Sequence, residues 1–370
     1  MSEQHSRQAR EPGQASTGAA DFEALLLRHR GEIQLHCYRM LGSLEDAEDV
    51  TQETSLRAWR GMDSFGRRSS FRTWIYRIAT NACLDHLRGQ ARRRRPAVGA
   101  DGFAAVPAQV AVPWLQPYPD AAGTADASVA ADPAGAAASE EPGPAQQVLA
   151  RDAVRLAFVA AVQYLSPRQR GLFLLRDCLG WPVGECAEAL QSSSAAVNSA
   201  LQRARATMRA VLGADPALWT DPAPGGLRTE EHDLVTRYID AIESADDARI
   251  ASLLREDVRV SHAAGAGGNS TGVPVWYAGR RAVVDAWHPV LHAEDHPELL
   301  MVPVRMNAQS GVATYLRMPG YEEFEAFALN TLTAVDGAIA EVASFPADLF
   351  GHFGLPARGS AEALRLTRTA

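Results

Sequence analysis

Arg72, Arg77, Asn81 and Arg88 lie within one stretch, FRTWIYRIATNACLDHLR (residues 71–88). Guanidinium groups suit phosphate oxygens, and an asparagine amide can pair with a base edge. This mixture at helical spacing is therefore the chemistry of nucleic-acid binding. Residues 66–95 hold nine Arg against one Asp and end in the run Arg92–Arg95. A polyanion partner and an ordinary solvated basic face both fit that pattern. Upstream, Asp46, Asp49, Gln52 and Glu53 sit in an acidic segment with five acids and no base over residues 44–53. Such acids suit a protein surface better than DNA; near a helix start they also complement the helix dipole. Far downstream, Asp257 and His262 would make an acid–base pair if their side chains converge. Trp276, Tyr277, Trp287, His288 and Arg305 are candidate walls of a pocket around them. Asp257 is equally suited to a turn, and His288, ahead of Pro289, to simple packing.

These groups need elements to hold them. Phe71, Trp74, Ile75, Ile78, Ala79, Ala82, Cys83 and Leu87 recur with the rhythm of one buried helix face, opposite the Arg/Asn stripe. Ser69 or Ser70 can cap that helix. A helix is predicted from Asp21 to the break at Gly42-Ser43, and another carries the acidic segment. Between the acidic and basic helices lies GMDSFGRRSS, a Gly/Ser-rich loop with one aromatic, Phe65. Residues 96–145 lose all periodicity apart from a PWLQPYP patch at 113–119, and predict a flexible acidic linker. As a free coil it would span roughly 40 Å, and pulled straight about 165 Å. Residues 146–212 are helical again. Ser166-Pro167 restarts a helix, and GWPVGECAEALQ, the turn SSS and AAVNSALQRARATMRAVL fit a helix-turn-helix. From Thr229 two helices come first and short alternating or apolar runs follow, with a helix near Arg280–Leu291, the pattern of an α+β domain.

All 36 basic residues of the 370 are Arg, and the net charge of −8 is unevenly spread. Residues 21–95 and 146–212 are each net positive, 96–145 net negative, and 213–370 strongly so, with 12 Arg against 22 acids. The total argues against a simple nucleic-acid binder; divided along the chain it describes two mildly basic modules joined to an acidic third one. Cys37, Cys83, Cys178 and Cys186 form no CxxC and predict buried reduced thiols, with no metal site and no cofactor expected. No apolar run approaches a membrane span, so a cytoplasmic protein is expected.

EDAEDVTQETSLRAWR, FRTWIYRIATNACLDHLR and LSPRQRGLFLLRDCLGWPVGECAEAL followed by AAVNSALQRARATM occur in this order across the spacer. With them, the first 212 residues resemble a sigma-70-family RNA polymerase sigma factor of the extracytoplasmic-function group. The C-terminal part resembles a SnoaL-like domain of the nuclear-transport-factor cone-shaped fold. The resemblance implies a multidomain chain. A disordered tail (1–20) would precede sigma region 2 (21–95), the linker (96–145) and sigma region 4 with its helix-turn-helix (146–212). A short joint (213–227), the SnoaL-like domain (228–350) and a C-terminal tail (351–370) would follow. It further implies that Asp46, Asp49, Gln52 and Glu53 dock on core RNA polymerase. Met62, Phe65 and Arg67 would hold a flipped base of the minus-10 element, with Arg72, Arg77, Asn81 and Arg88 facing DNA beside it. Ser194, Ala196, Asn198, Ser199, Gln202 and Arg203 would read the minus-35 element. Family members often carry more Arg at the start of that helix; Val-Asn-Ser-Ala here implies a different readout. Arg205 and Arg209 are expected to pair with nearby acids. The function implied is promoter recognition and transcription initiation, without enzymatic activity. The SnoaL-like domain would regulate, through a small-molecule ligand or regulatory protein or by covering the basic faces with its acidic surface. The alternatives are a SnoaL-type enzyme or ligand sensor tethered to a DNA-binding module, and an ordinary helix-turn-helix repressor.

Overall fold

The computed structural model describes residues 12–62, 65, 70–90, 94–120, 155–212 and 227–366. Helices α1 (Pro12–Leu41), α2 (Leu44–Arg60) and α3 (Phe71–Gln90) form the first bundle. Helix α1 starts within the segment expected to be a tail. Gly42, at φ +73, ends it with a left-handed turn that a side chain would strain. Ser43 then caps α2 by accepting from the Asp46 amide, and Ser70 caps α3 by accepting from the Thr73 amide. The buried face of α3 holds Phe71, Trp74, Ile75, Ala79, Ala82, Cys83 and Leu87, as its periodicity predicts.

The second bundle comprises α4 (Ala108–Ala111), α5 (Leu156–Val162), α6 (Pro167–Phe173), α7 (Val183–Ala189) and α8 (Ser194–Leu212). Helix α6 opens with Pro167 at its first position and a Ser166/Gln169 capping box, then runs into a π turn at Leu174–Cys178.

The third part contains α9 (Leu227–Glu243), α10 (Asp247–Leu253) and α11 (Arg280–His292). They cover one face of a sheet of β1 (Leu254–His262), β2 (Val275–Ala278), β3 (Glu298–Met306), β4 (Gln309–Arg317), β5 (Phe324–Val335) and β6 (Ala338–Pro346). The strand order is β2-β1-β6-β5-β4-β3, antiparallel except for the β1–β6 pair. Tyr238, Ile239, Val258, Val260, Val283, Met301 and Leu332 form the core between helices and sheet. The other face is also covered. Met306, Tyr315, Leu329 and Phe345 join one continuous apolar cluster with Tyr38, Val112, Leu115 and the helical bundles. The three parts thus share a core, because a sheet with two apolar faces must bury both.

Two expectations are corrected here. Residues 96–120 are not free coil: they form a 3-10 turn (Ala100–Ala105), helix α4 and an extended run that buries Phe103, Ala111, Val112, Leu115 and Tyr118. Burial of those apolar side chains and the hydrogen bonds below offset the ordering entropy. The segment after 350 is also folded. The 3-10 turn Ala347–Phe353 is followed by β7 (Arg358–Gly359), which pairs with β5, and by α12 (Ala361–Leu366), which buries Leu364. Residues 1–11, 121–145, 213–226 and 367–370 of the expected tails, linker and joint lie outside the described residues, as do residues 146–154 at the start of the expected region 4.

Candidate nucleic-acid interface

The basic stripe on α3 is not presented to solvent as a unit. Arg72 donates to Glu32 at 2.8 Å and lies over the Tyr76 ring, with its guanidinium 5.1 Å from the centroid. Burial pushes the Glu32 carboxyl up, but His29 and Arg72 outweigh it and hold it below the usual carboxylate range. Arg77 faces Glu188 of α7 at 3.7 Å. The Asn81 amide donates to the Arg77 carbonyl and, at 3.4 Å, to the Ala189 carbonyl at the end of α7. Arg88 is exposed and bound to Asp85. The second bundle therefore sits on the middle of the α3 stripe. Gly171 permits this approach: a Cβ there would come 3.1 Å from the Thr80 methyl. Arg170 locks it. Its buried guanidinium donates to the Met40 carbonyl of α1 and to the Gln163 side-chain oxygen and the Gln163 and Leu165 carbonyls. Burial without a carboxylate pulls its pKa down to about 9.

Met62 and Phe65 are half-buried, and Phe65 packs on Phe71 and Trp74 at ring-centroid distances of 5.6 and 5.1 Å. Arg67 lies outside the described residues, as do Arg92 and Arg93. Arg94 belongs neither to a solvated run nor to a phosphate clamp, which corrects the reading of Arg92–Arg95 as one unit. It pairs with Asp46, donates to the Leu41 carbonyl at 2.7 Å and lies over the Trp114 ring. Burial lowers its pKa to about 10. This engages one predicted polymerase contact, Asp46. Asp49 and Gln52 are exposed, and Glu53 is half-exposed and bound to Arg57. The same face carries Leu56 and Trp59, 52% and 45% exposed, which the acidic pattern alone does not single out. Their signal was the i, i+3, i+4 continuation of the Asp49–Gln52 stripe.

Helix α8 behaves differently. Ser194, Ala196, Asn198, Ser199, Gln202 and Arg203 are all exposed, while Val197, Ala200, Leu201 and Ala204 bury the opposite face. Ser193 caps the helix by accepting from the Ala196 amide. Arg205 pairs with Asp177 at 2.8 and 2.6 Å, as expected.

In the α+β part, Asp257 and His262 do not converge. Five residues apart on β1, they are separated by roughly 16 Å of extended chain and bind different partners. Asp257 is exposed and bound to Arg255. His262 lies under a loop whose Gly267 passes so close that any side chain there would strike the imidazole. Its Nε2 is 3.4 Å from the Tyr277 hydroxyl, which accepts from Trp287 at 2.8 Å. Burial lowers the His262 pKa and raises that of Tyr277. Trp276 is exposed on the other face of β2, His288 points outward to Asp247, and Arg305 binds Asp120. Of the expected pocket residues, His262, Tyr277 and Trp287 come together, through the Tyr277 hydroxyl. The acidic part does not cover Arg77 and Asn81 either; α7 does.

The PWLQPYP patch joins the parts. The Gln116 side-chain oxygen accepts from Ser43 and from the Leu44 and Glu45 amides at 3.0, 2.8 and 3.2 Å, completing the cap of α2. Asn307 accepts from the Tyr118 amide and donates to the Tyr38 hydroxyl, both at 2.8 Å. Asp120 accepts from Arg305 and from the Ala308 amide. Gln109 donates to Ser261, and His352 contacts Glu48 of α2 at 3.1 Å.

Residues 25–93 match the family model for sigma-70 region 2, and residues 155–208 that for sigma-70 region 4. The chain is 38% identical over 353 residues to the ECF RNA polymerase sigma factor SigG of Mycobacterium tuberculosis, covering 94% of this chain and 86% of that protein. This chain belongs to the ECF RNA polymerase sigma factors. SigJ of the same organism is 32% identical over 240 residues, 65% of this chain and 62% of SigJ. The crystal structure of SigJ matches the fold with a TM-score of 0.51 at 21% identity, across 91% of this chain and all of that one. The α1–α3 bundle is therefore sigma region 2 and α5–α8 sigma region 4; the sheet with its helices follows as a third, α+β domain. As a sigma factor the chain binds core RNA polymerase and promoter DNA and starts transcription. Among the described residues no helix is long and apolar enough to cross a membrane.

Proposed function

We propose that this arrangement is the polymerase-free, closed form of the sigma factor, in which region 4 shields the minus-10 reader. Arg77 and Asn81 are the residues that read melted minus-10 DNA, with Arg72, Arg88 and the Met62–Arg67 loop beside them. The contact of both with α7, through Glu188 and the Ala189 carbonyl, carries the reading. DNA cannot occupy that stripe until region 4 moves away. The minus-35 readers are Ser194, Ala196, Asn198, Ser199, Gln202 and Arg203, already exposed. Asp49, Gln52 and Glu53, extended by Leu56 and Trp59, dock on the polymerase, and Asp46 holds the Arg94 clasp. The functional division is region 2 (21–95), region 4 (146–212) and the regulatory domain (228–350), with residues 96–120 as a clasp between them. The SnoaL-like domain acts by bracing the closed form: Asn307 and Arg305 hold Tyr118 and Asp120 of the clasp, and His352, just after the domain, holds Glu48. Its role is bracing and not catalysis: the candidate acid and base, Asp257 and His262, bind separate partners, Arg255 and Tyr277. The protein works in the cytoplasm with the polymerase.

The test measures fluorescence anisotropy of labelled oligonucleotides from a promoter mapped by run-off transcription. The free protein is expected to bind the minus-35 duplex, and to bind the minus-10 single strand only once core polymerase is added. Equal minus-10 affinity with and without polymerase would overturn the closed-form reading.

A further inference from the structure

We propose that Asp247, His288 and His292 form a binding site for a divalent transition-metal ion of the zinc type on the outer face of the SnoaL-like domain. His288 and His292 are four residues apart on α11 and stack with ring centroids 4.3 Å apart. Two imidazoles at i and i+4 project from one helix face, the spacing that lets a helix offer both to one ion. Asp247 comes from the first turn of α10 and lies opposite them. One of its carboxylate oxygens is 2.6 Å from His288 Nδ1 and the other 3.2 Å from His292 Nε2. The three donor atoms all lie within 4.8 Å of one another, and no other such group of three occurs among the described residues. The neighbouring Asp246, not Asp247, does the helix capping, accepting from the Arg249 amide at 2.9 Å. The Asp247 carboxylate is thus left to the two imidazoles.

The donor set selects the ion. Two neutral imidazoles and one carboxylate suit zinc and its neighbours; calcium and magnesium prefer all-oxygen shells. Three protein ligands leave a position for water, and all three side chains are 32–56% exposed, so the ion can enter and leave. Such a site is exchangeable rather than permanent. Its occupancy would tie α10 to α11, the helix that carries Trp287.

The test uses the full chain without an affinity tag, stripped with chelator and titrated with zinc against a chromophoric competitor at neutral pH. One zinc per chain at low micromolar affinity is expected, with two imidazoles in its shell by X-ray absorption. His292→Ala and Asp247→Asn should each weaken it by at least about tenfold, since even second-shell partners commonly contribute that much. His232→Ala, a control at an exposed position of α9, should leave it unchanged. Circular dichroism of each variant checks folding, and His288→Gln serves as a further variant should either misfold. Zinc binding that survives all the site variants would overturn the proposal by placing the ion elsewhere. Failure to take up zinc at tens of micromolar would overturn it by leaving only a surface ion pair.

Discussion

Helices α3 and α8 are both DNA readers by sequence, yet the fold treats them differently. On α3 the reading groups are occupied: Arg72 by Glu32 and Tyr76, Arg77 by Glu188, Asn81 by the Ala189 carbonyl. On α8 all six predicted reading residues are exposed, and only Arg205, off that stripe, is tied to an acid. The difference follows from what each helix must do. A minus-35 reader meets duplex DNA as it is. A minus-10 reader captures unstacked bases, and an open capture surface on the free protein would bind single strands indiscriminately. Covering one and leaving the other lets the polymerase decide when melting begins.

The strongest way to break this contrast is Arg170→Ala. The variant removes four hydrogen bonds and leaves the Met40 and Leu165 carbonyls and both Gln163 oxygens short of a donor in a buried joint. A cost of about 3–5 kcal/mol is expected, from several unsatisfied groups at about 1–3 kcal/mol each. Chemical denaturation measures it. If the variant stays folded, α3 should become open to single strands without polymerase. A loss of stability under about 1 kcal/mol would mean that Arg170 is not the lock.

Acid should loosen region 2 next, and not α8. His36 is fully buried, and its Nε2 lies 2.9 Å from Thr80 Oγ1, which itself donates to the Tyr76 carbonyl. The imidazole therefore serves as the donor and is neutral. Burial drops its pKa from 6.5 to about 3, with the charge of Arg39 adding to the fall. A depressed folded pKa means that the stabilisation is complete above pH 6.5 and is lost as pH falls towards 3. At about pH 5 the loss should be about 2 kcal/mol, at about 1.4 kcal/mol per pH unit. His36→Gln keeps a donor for Thr80 and removes the titration. Denaturation curves between neutral pH and about pH 5 that are as steep in pH for this variant as for the parent would exclude His36 as the cause.

Much of this contrast was legible in the sequence, and the rest was hidden for physical reasons. The buried face of α3, the exposed face of α8, the Ser166-Pro167 start and the acidic α2 are local patterns, set by periodicity and capping. Arg94 could not be separated from Arg92–Arg95 by local reasoning, since its partner Asp46 lies on another helix. The linker has the composition of a coil, while Gln116, Tyr118 and Asp120 find partners at Ser43, Asn307 and Arg305. Composition reports the absence of periodicity, not the presence of long-range caps. Whether Asp257 and His262 converge was not legible, because the register of β1 shifts between Leu254 and Arg259 and alternation cannot be counted across it.

A reciprocal pair of variants sharpens the division of labour. Arg77→Ala should cut promoter-dependent run-off roughly tenfold while leaving minus-35 duplex binding unchanged, as befits the loss of one base or phosphate contact worth about 1–3 kcal/mol. Arg203→Ala should do the reverse in the binding assay, weakening the minus-35 duplex by a similar factor with minus-10 strand capture by the holoenzyme intact. Equal losses in both assays for either variant would erase the distinction between the two helices.

The smallest effect tests the cover itself. Arg77 and Glu188 are 3.7 Å apart and 40% and 77% exposed, so the pair contributes about 0–1 kcal/mol. Glu188→Ala alone should thus raise the free protein's minus-10 affinity by no more than about fivefold. Glu188→Arg goes further, since it replaces a weak attraction with repulsion of the same guanidinium and leaves the buried Arg170 lock in place. Its gain should exceed that of Glu188→Ala at low salt. The two should converge as salt is raised, because the Debye length falls from about 30 Å at 0.01 M to about 8 Å at 0.15 M. The comparison of the two substitutions separates cover from ligand. If Glu188 helps to hold α7 over the stripe, both variants gain affinity and the order is set by charge. A loss in Glu188→Ala would mean that Glu188 positions Arg77 for DNA, and α7 would then belong to the binding surface.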